Sequence, residues 1–253
     1  MIEAVNIRNK GITSNVKKCK NTKITTITVN NSKYISGEYI TIEFKDIFDI
    51  NLKNDITKCI KYLFKKNNIK DNSSVLVVGL GNEKSTPDSL GPLVVDNIIV
   101  TRHLEVIGIN SKRIVSALKP GVTGVTGIET KDIIKSVVDK IKPDALIIID
   151  SLKSGSIKRL NKTIQLTDTG IHPGSGVQNK REKIDKETLG IPIIAIGMPT
   201  VCDIKTIVKE ITNKNIKNNM IITSKDIDFI IEKMSDLLSI SINNALYDFN
   251  LTN

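Results

Sequence analysis

Three short runs constrain the fold more than any other feature of the chain. VLVVGL (75–80), ALIIID (145–150) and IPIIAIGM (191–198) are apolar at nearly every position and bounded by turn residues. A strand that shows one face to a core alternates apolar and polar residues, whereas a continuous apolar run suits a strand buried on both faces. Between these runs, GPLVVDNIIVTRHL (91–104) and GIETKDIIKSVVDKI (127–141) repeat their apolar residues at helical spacing. Strands alternating with helices predict an α/β fold: three layers, α/β/α, with a mostly parallel central sheet.

The flanks extend that frame. KITTITVN (23–30) and EYITIEF (38–44), joined by a polar stretch containing Gly37, predict an N-terminal β-hairpin. DITKCIKYLFKK (55–66) sets Ile56, Ile60, Leu63 and Phe64 on one side of a helix. TSKDIDFIIEKMSDLLSISINNALYDF (223–249) predicts a long C-terminal helix opened by a Thr or Ser cap, with Met234 and Leu238 as core or subunit contacts. EITNKNIKNN (210–219) is polar, without periodicity, and is expected to be loop. No internal repeat or clean linker divides the chain, so 1–253 is read as one domain, with the hairpin region 1–50 and the helix 223–249 as appendages.

Composition removes several function classes. No apolar run approaches the roughly 18 residues of a spanning helix, and MIEAVNIRNKG has no signal-peptide core, so no membrane partner and a cytoplasmic location are expected. Cys19, Cys59 and Cys202 are odd in number and widely spaced, which predicts free buried thiols, neither a disulfide framework nor a zinc site. The net charge of +10 comes from lysines scattered singly or in pairs, with aromatics at 4%. That pattern favours a solvated surface over direct nucleic-acid binding, and leaves a weak field for acidic partners.

In parallel α/β sheets, functional residues gather beyond the carboxyl ends of strands. Asp88 lies in GLGNEKSTPDSLGP (79–92), after the first apolar run, and Asp150 ends the second. Each has a plain alternative: Asp88 as a turn residue after Pro87, and Asp150 as a cap for the turn that follows. Both fall on the same predicted edge. Two carboxyls in a poorly solvated cleft cannot both ionise cheaply, and a pair sharing a proton suits general acid/base hydrolysis. Gly79, Gly81 and Gly91 do not form GxGxxG, because Lys84 occupies the third position, and no Walker A lysine follows. The glycines are expected to allow a tight turn and a close approach. Backbone amides from Gly79 to Gly81, with Asn82, or from Gly174, Ser175 and Gly176, are candidates for the substrate cleft or an oxyanion site. Neither a Ser nor a Cys lies in a nucleophile elbow. His103 is expected to be a packed or capping residue. His172, in a Gly-rich loop, is a cleft candidate and, with Asp88 and Asp150, an alternative metal set. Asp168-Thr169-Gly170 occurs once, in an α/β context, where pepsin-like chemistry needs two copies in an all-β fold; Asp168 is read as a loop-organising acid near the site.

VLVVGLGNEKSTPDSLGPLVVDNIIVTRHL, VSALKPGVTGVTGIET, DALIIIDSLKSGSI, TIQLTDTGIHPGSGVQNKR and KETLGIPIIAIGMPTV follow one another from 75 to 201. In this order they closely resemble the germination protease family of endospore formers. The resemblance implies an endopeptidase that cleaves small acid-soluble spore proteins, an atypical aspartic protease related in fold to hydrogenase maturation proteases. It implies essential aspartates at Asp88 and Asp150, no cofactor, a homotetramer, zymogen processing, and a place in the forespore or spore core. A metal-dependent peptidase and a catalytically silent protein that binds the same substrates are the rival expectations. The chain opens at MIEAV where the family carries a propeptide, and is shorter than the family between VCDIKTIV and MIITSKDID. Zymogen control and oligomer state are the properties this touches.

Overall fold

The computed structural model describes residues 11–30, 34–172 and 182–247. The chain opens with three antiparallel strands, β1 (Ile12–Lys18), β2 (Thr22–Val29) and β3 (Gly37–Phe44). The expected hairpin is β2 with β3, and β1 adds an outer strand that is exposed along most of its length. Cys19 is exposed in the β1–β2 turn, against expectation, while Cys59 and Cys202 are buried. Helix α1 (Ile50–Lys66) starts where the Asp49 carboxylate accepts from the Asn51 N–H, and buries Leu52, Ile56, Ile60, Leu63 and Phe64.

β4 (Val75–Gly79) leads through a 3₁₀ turn, Thr86–Asp88, into α2 (Leu90–Asp96). The single helix predicted over 91–104 is two, with α3 (Arg102–Val106) following a break. At the break the Thr101 N–H donates to Val115 O at 3.0 Å, and its hydroxyl donates to Arg113 O at 2.6 Å. The β-branched run Ile98-Ile99-Val100-Thr101 is a weak helix former, and these bonds favour extended chain there. β5 (Val115–Leu118), α4 (Thr123–Thr126), α5 (Thr130–Ile141), β6 (Ala145–Ser154), β7 (Thr163–Thr167), α6 (Lys186–Leu189) and β8 (Ile193–Asp203) follow. The stretch expected to be loop begins inside α7 (Ile204–Thr212), and β9 (Ile221–Ile222) precedes the C-terminal helix α8 (Ile227–Tyr247).

One mixed sheet runs β1-β2-β3-β7-β8-β6-β4-β5, with β9 on β8. The expectation of a mostly parallel sheet is corrected. Only β5–β4, β4–β6 and β6–β8 pair in parallel, while β1–β2, β2–β3, β3–β7, β7–β8 and β8–β9 are antiparallel. The cause is β7. Residues 155–162 contain no crossover helix, and a parallel return needs roughly a dozen residues or more, so the next strand can only run back. β7 then bridges the N-terminal strands to β8.

Successive residues of the parallel strands serve different cores. Val75, Val77, Ile147, Ile149, Ile194 and Ile196 pack against α1, α2 and α8, while Leu76, Val78, Leu146, Ile148 and Ala195 pack with Ile134 and Val138 of α5. Helices thus cover both faces of this part of the sheet, as its continuous apolar runs require. Met234 and Leu238 are wholly buried in the first core. Among the described residues no helix is long and apolar enough to cross a membrane.

Candidate active site

The edge where the parallel strands end is built by their unequal lengths. β4 pairs with β6 only as far as Gly79 opposite Ile149, whereas β6 and β8 continue together to Ser154 and Cys202. Asp150 is therefore the first residue of β6 after β4 turns away. It sits opposite Gly197 of β8 and is 7% exposed. A crevice opens where neighbouring strands part in this way.

The β4–α2 loop crosses that opening and carries Asp88. A Cβ on Gly81, whose φ is +122°, would run into the Asp88 carbonyl oxygen and stand 3.4 Å from Asp88 Oδ1. Gly79 and Gly91 touch backbone to backbone in the same way, Gly91 lying against the oxygens of Leu80 and Ile149. These glycines let the loop fold back onto its own strand and onto the end of β6. The turn is shaped by backbone bonds: Asp88 N–H to Ser85 O at 2.7 Å, Asn82 N–H to Asp88 O at 3.0 Å, and the Thr200 hydroxyl to Pro87 O at 2.6 Å. Lys119, just beyond β5, grips the loop through Glu83 at 2.5 Å and α2 through Asp96 at 2.7 Å. Asp88, in the turn after β4, and Asp150, in β6 one residue past its pairing with β4, thus lie toward the same edge of the sheet.

Two amides of the candidate oxyanion loop are already engaged, Leu80 N–H with Ile149 O and Asn82 N–H with Asp88 O. Beside Asp150, the buried Ser151 hydroxyl has no hydrogen-bond partner among the described residues. A buried polar atom of this kind is suited to water or substrate.

His172 and Asp168 lie elsewhere. Gln165, Leu166 and Thr167 pair with Gly197, Ile196 and Ala195, so each step along β7 leads back toward the start of β8. The segment after β7 therefore emerges at the opposite edge. There Asp168 accepts from the Glu38 N–H at 2.8 Å and from Asn67 Nδ2 at 3.0 Å, tying β3 to the end of α1. It organises its loop as expected, but away from Asp88 and Asp150. His172 is exposed, and partial burial of the ring with the nearby Lys183 charge holds its pKa below the usual imidazole value. The alternative metal set of Asp88, Asp150 and His172 is not assembled: among the described residues no three His, Cys, Asp or Glu side chains are grouped to hold an ion. Gly174, Ser175 and Gly176 lie outside the described residues. Of the packed or capping roles expected for His103, the packed one does not hold, since the residue is exposed in the last turn of α3. Sequence reasoning missed Lys119 and Thr200. Lys119 follows an apolar strand in VSALKP, the position where Asp150 was noticed, but its partners are distant in sequence.

The molecule is an α/β protein with two acids where neighbouring parallel strands end. Its sequence matches the germination protease family over residues 2–217. It is 48% identical over 206 residues to the germination protease of Geobacillus sp. (strain WCH70), covering 78% of this chain and 51% of that protein. The germination proteases of Bacillus cytotoxicus and Bacillus mycoides are 46% and 47% identical, over 78% of this chain and 52% of each. The chain belongs to the germination protease family. It spans about half the length of the curated relatives it matches.

Proposed function

We propose that the chain is an endopeptidase that initiates degradation of small acid-soluble spore proteins during germination, in the forespore or spore core, with Asp88 and Asp150 activating water. Family membership supports the peptidase reading. The observation that carries the catalytic assignment is that the turn bearing Asp88 is folded onto the end of the β4–β6 pairing, one residue before Asp150.

At such an edge the low dielectric disfavours two full charges, so one carboxyl holds a proton while its partner takes one from water. The activated water attacks the peptide carbonyl. The protonated carboxyl then donates to the developing oxyanion or to the leaving amine. The pair titrates as a unit. A homo-oligomer goes with this reading, as the family resemblance implies.

Incubating the purified chain with a small acid-soluble spore protein and reading fragments by mass spectrometry tests the proposal. Discrete fragments are expected, lost in Asp88→Asn and in Asp150→Asn, and retained with a chelator present. Full cleavage by Asp88→Asn sinks the aspartate assignment. Absence of fragments across a broad pH range sinks the peptidase reading and favours a silent binding protein.

A further inference from the structure

β8 carries one residue more than its partner beyond Asp150. Leu152 pairs with Pro199 but Lys153 with Val201, which makes Thr200 the extra residue of a β-bulge. A bulge frees backbone groups from the ladder and re-aims a side chain. Both effects are used here. The Thr200 carbonyl accepts from the Thr223 hydroxyl at 2.7 Å, and the wholly buried Thr200 hydroxyl donates to Pro87 O at 2.6 Å.

Pro87 C=O and Asp88 N–H are the two ends of one planar peptide unit. The N–H end is held by Ser85 O at 2.7 Å and the C=O end by Thr200. With both ends held, the plane from which Asp88 departs has one orientation. Ser85 belongs to the same turn and can only shape it. Thr200 belongs to β8, which pairs directly with the strand of Asp150 through Gly197. Pro87 has no N–H of its own with which to offer a substitute bond. Thr200 is thus the side chain that registers the Asp88 turn against β6, and Thr223 ties the same bulge to the segment entering α8.

We propose that Thr200 is the positioning residue that sets Asp88 relative to Asp150, acting through its hydrogen bond to the Pro87 carbonyl. The proposal rests on the aspartate reading above and deepens it. The full chain is compared with Thr200→Val and Thr200→Ser by steady-state cleavage and by an NMR titration of the Asp88 carboxyl. Thr200→Val removes the donor at nearly constant shape, and kcat is expected to fall about tenfold to a hundredfold, the scale of a small misplacement of a reacting group. KM stays within about twofold, and Thr200→Ser, which keeps the donor, stays within about threefold in kcat. The Asp88 titration midpoint moves in Thr200→Val and not in Thr200→Ser. Wild-type kcat and an unmoved midpoint in Thr200→Val overturn the proposal. So does a Ser variant as impaired as the Val variant, which assigns the effect to packing. The titration needs no substrate. A moved midpoint in a chain that cleaves nothing sinks the hydrolytic reading and leaves the positioning role, whereas cleavage that Thr200→Val leaves untouched does the reverse.

Discussion

Both edges of the sheet carry aspartates, and the two edges employ them in different ways. Where the parallel strands begin, carboxylates hold the fold: Asp168 accepts from the Glu38 N–H and Asn67, and Asp185 caps α6 by accepting from the Thr188 N–H at 2.9 Å. Where the strands end, the bonds that shape the turn of Asp88 run through its backbone, to Ser85, Asn82 and Thr200. A carboxylate that anchors backbone amides cannot be neutralised without loosening what it anchors. The turn of Asp88 is held in large part by bonds that a change of its side chain leaves in place. On the proposed function, structure and chemistry fall on opposite edges.

The separation can be broken by substitution, and the largest effect is expected at the strand ends. Asp88→Asn and Asp150→Asn should each lower cleavage on the order of 10²–10⁴-fold, the usual share of a general acid or base. The unfolding free energy of Asp88→Asn, read from urea titrations, should fall by no more than about 1 kcal/mol. Asp168→Ala should behave in the opposite way. Losing charge-assisted bonds to Glu38 and Asn67 should cost about 2 kcal/mol of stability, with kcat per folded molecule unchanged. A stable Asp168→Ala or an unfolded Asp88→Asn would erase the distinction between the edges.

Much of this was legible in the residues, and the failures have particular causes. The apolar runs of β4, β6 and β8 announce strands buried on both faces, and Asp88 and Asp150 stand out just past the apolar runs VLVVGL and ALIII, although β6 itself continues to Ser154. TIQLT, by contrast, is too short and too mixed to declare a strand, yet β7 runs against both of its neighbours, β3 and β8. Missing its direction also misplaced His172, since a loop after a strand falls at one edge or the other according to which way that strand runs. Thr200 left no local signal. Its meaning lies in a bulge and in a carbonyl more than a hundred positions away, and neither periodicity nor spacing reports such a contact.

A smaller effect is expected at Asp185. Burial alone would raise its pKa, but the Lys183 ammonium and the Thr188 N–H outweigh burial and leave it lowered. A carboxyl whose folded pKa is below its unfolded value stabilises the fold above the unfolded value, about 3.9, and loses that contribution as pH falls through the folded one. Asp185→Ala should therefore unfold about 1 kcal/mol more easily at neutral pH, the usual worth of such a cap. The gap should close in acid, as read from urea midpoints across pH. A constant gap would assign the effect to packing.

The smallest effect on catalysis, and the sharpest contrast with Asp88, is expected at His172. It follows β7 at the edge away from Asp150, and independent sites in a fold perturb one another little, so His172→Ala should change cleavage by no more than about twofold. Its signature is in stability. With the folded pKa lowered by partial burial and Lys183, the unfolded chain takes up the proton more readily than the folded one. The parent should therefore lose stability relative to His172→Ala as pH falls through the unfolded value, about 6.5, and the difference should level off once pH is below the folded value. Cleavage that collapses in His172→Ala would place this imidazole in the chemistry despite the direction of β7. A pH-independent difference in stability would instead show that the imidazole does not titrate differently in the folded chain.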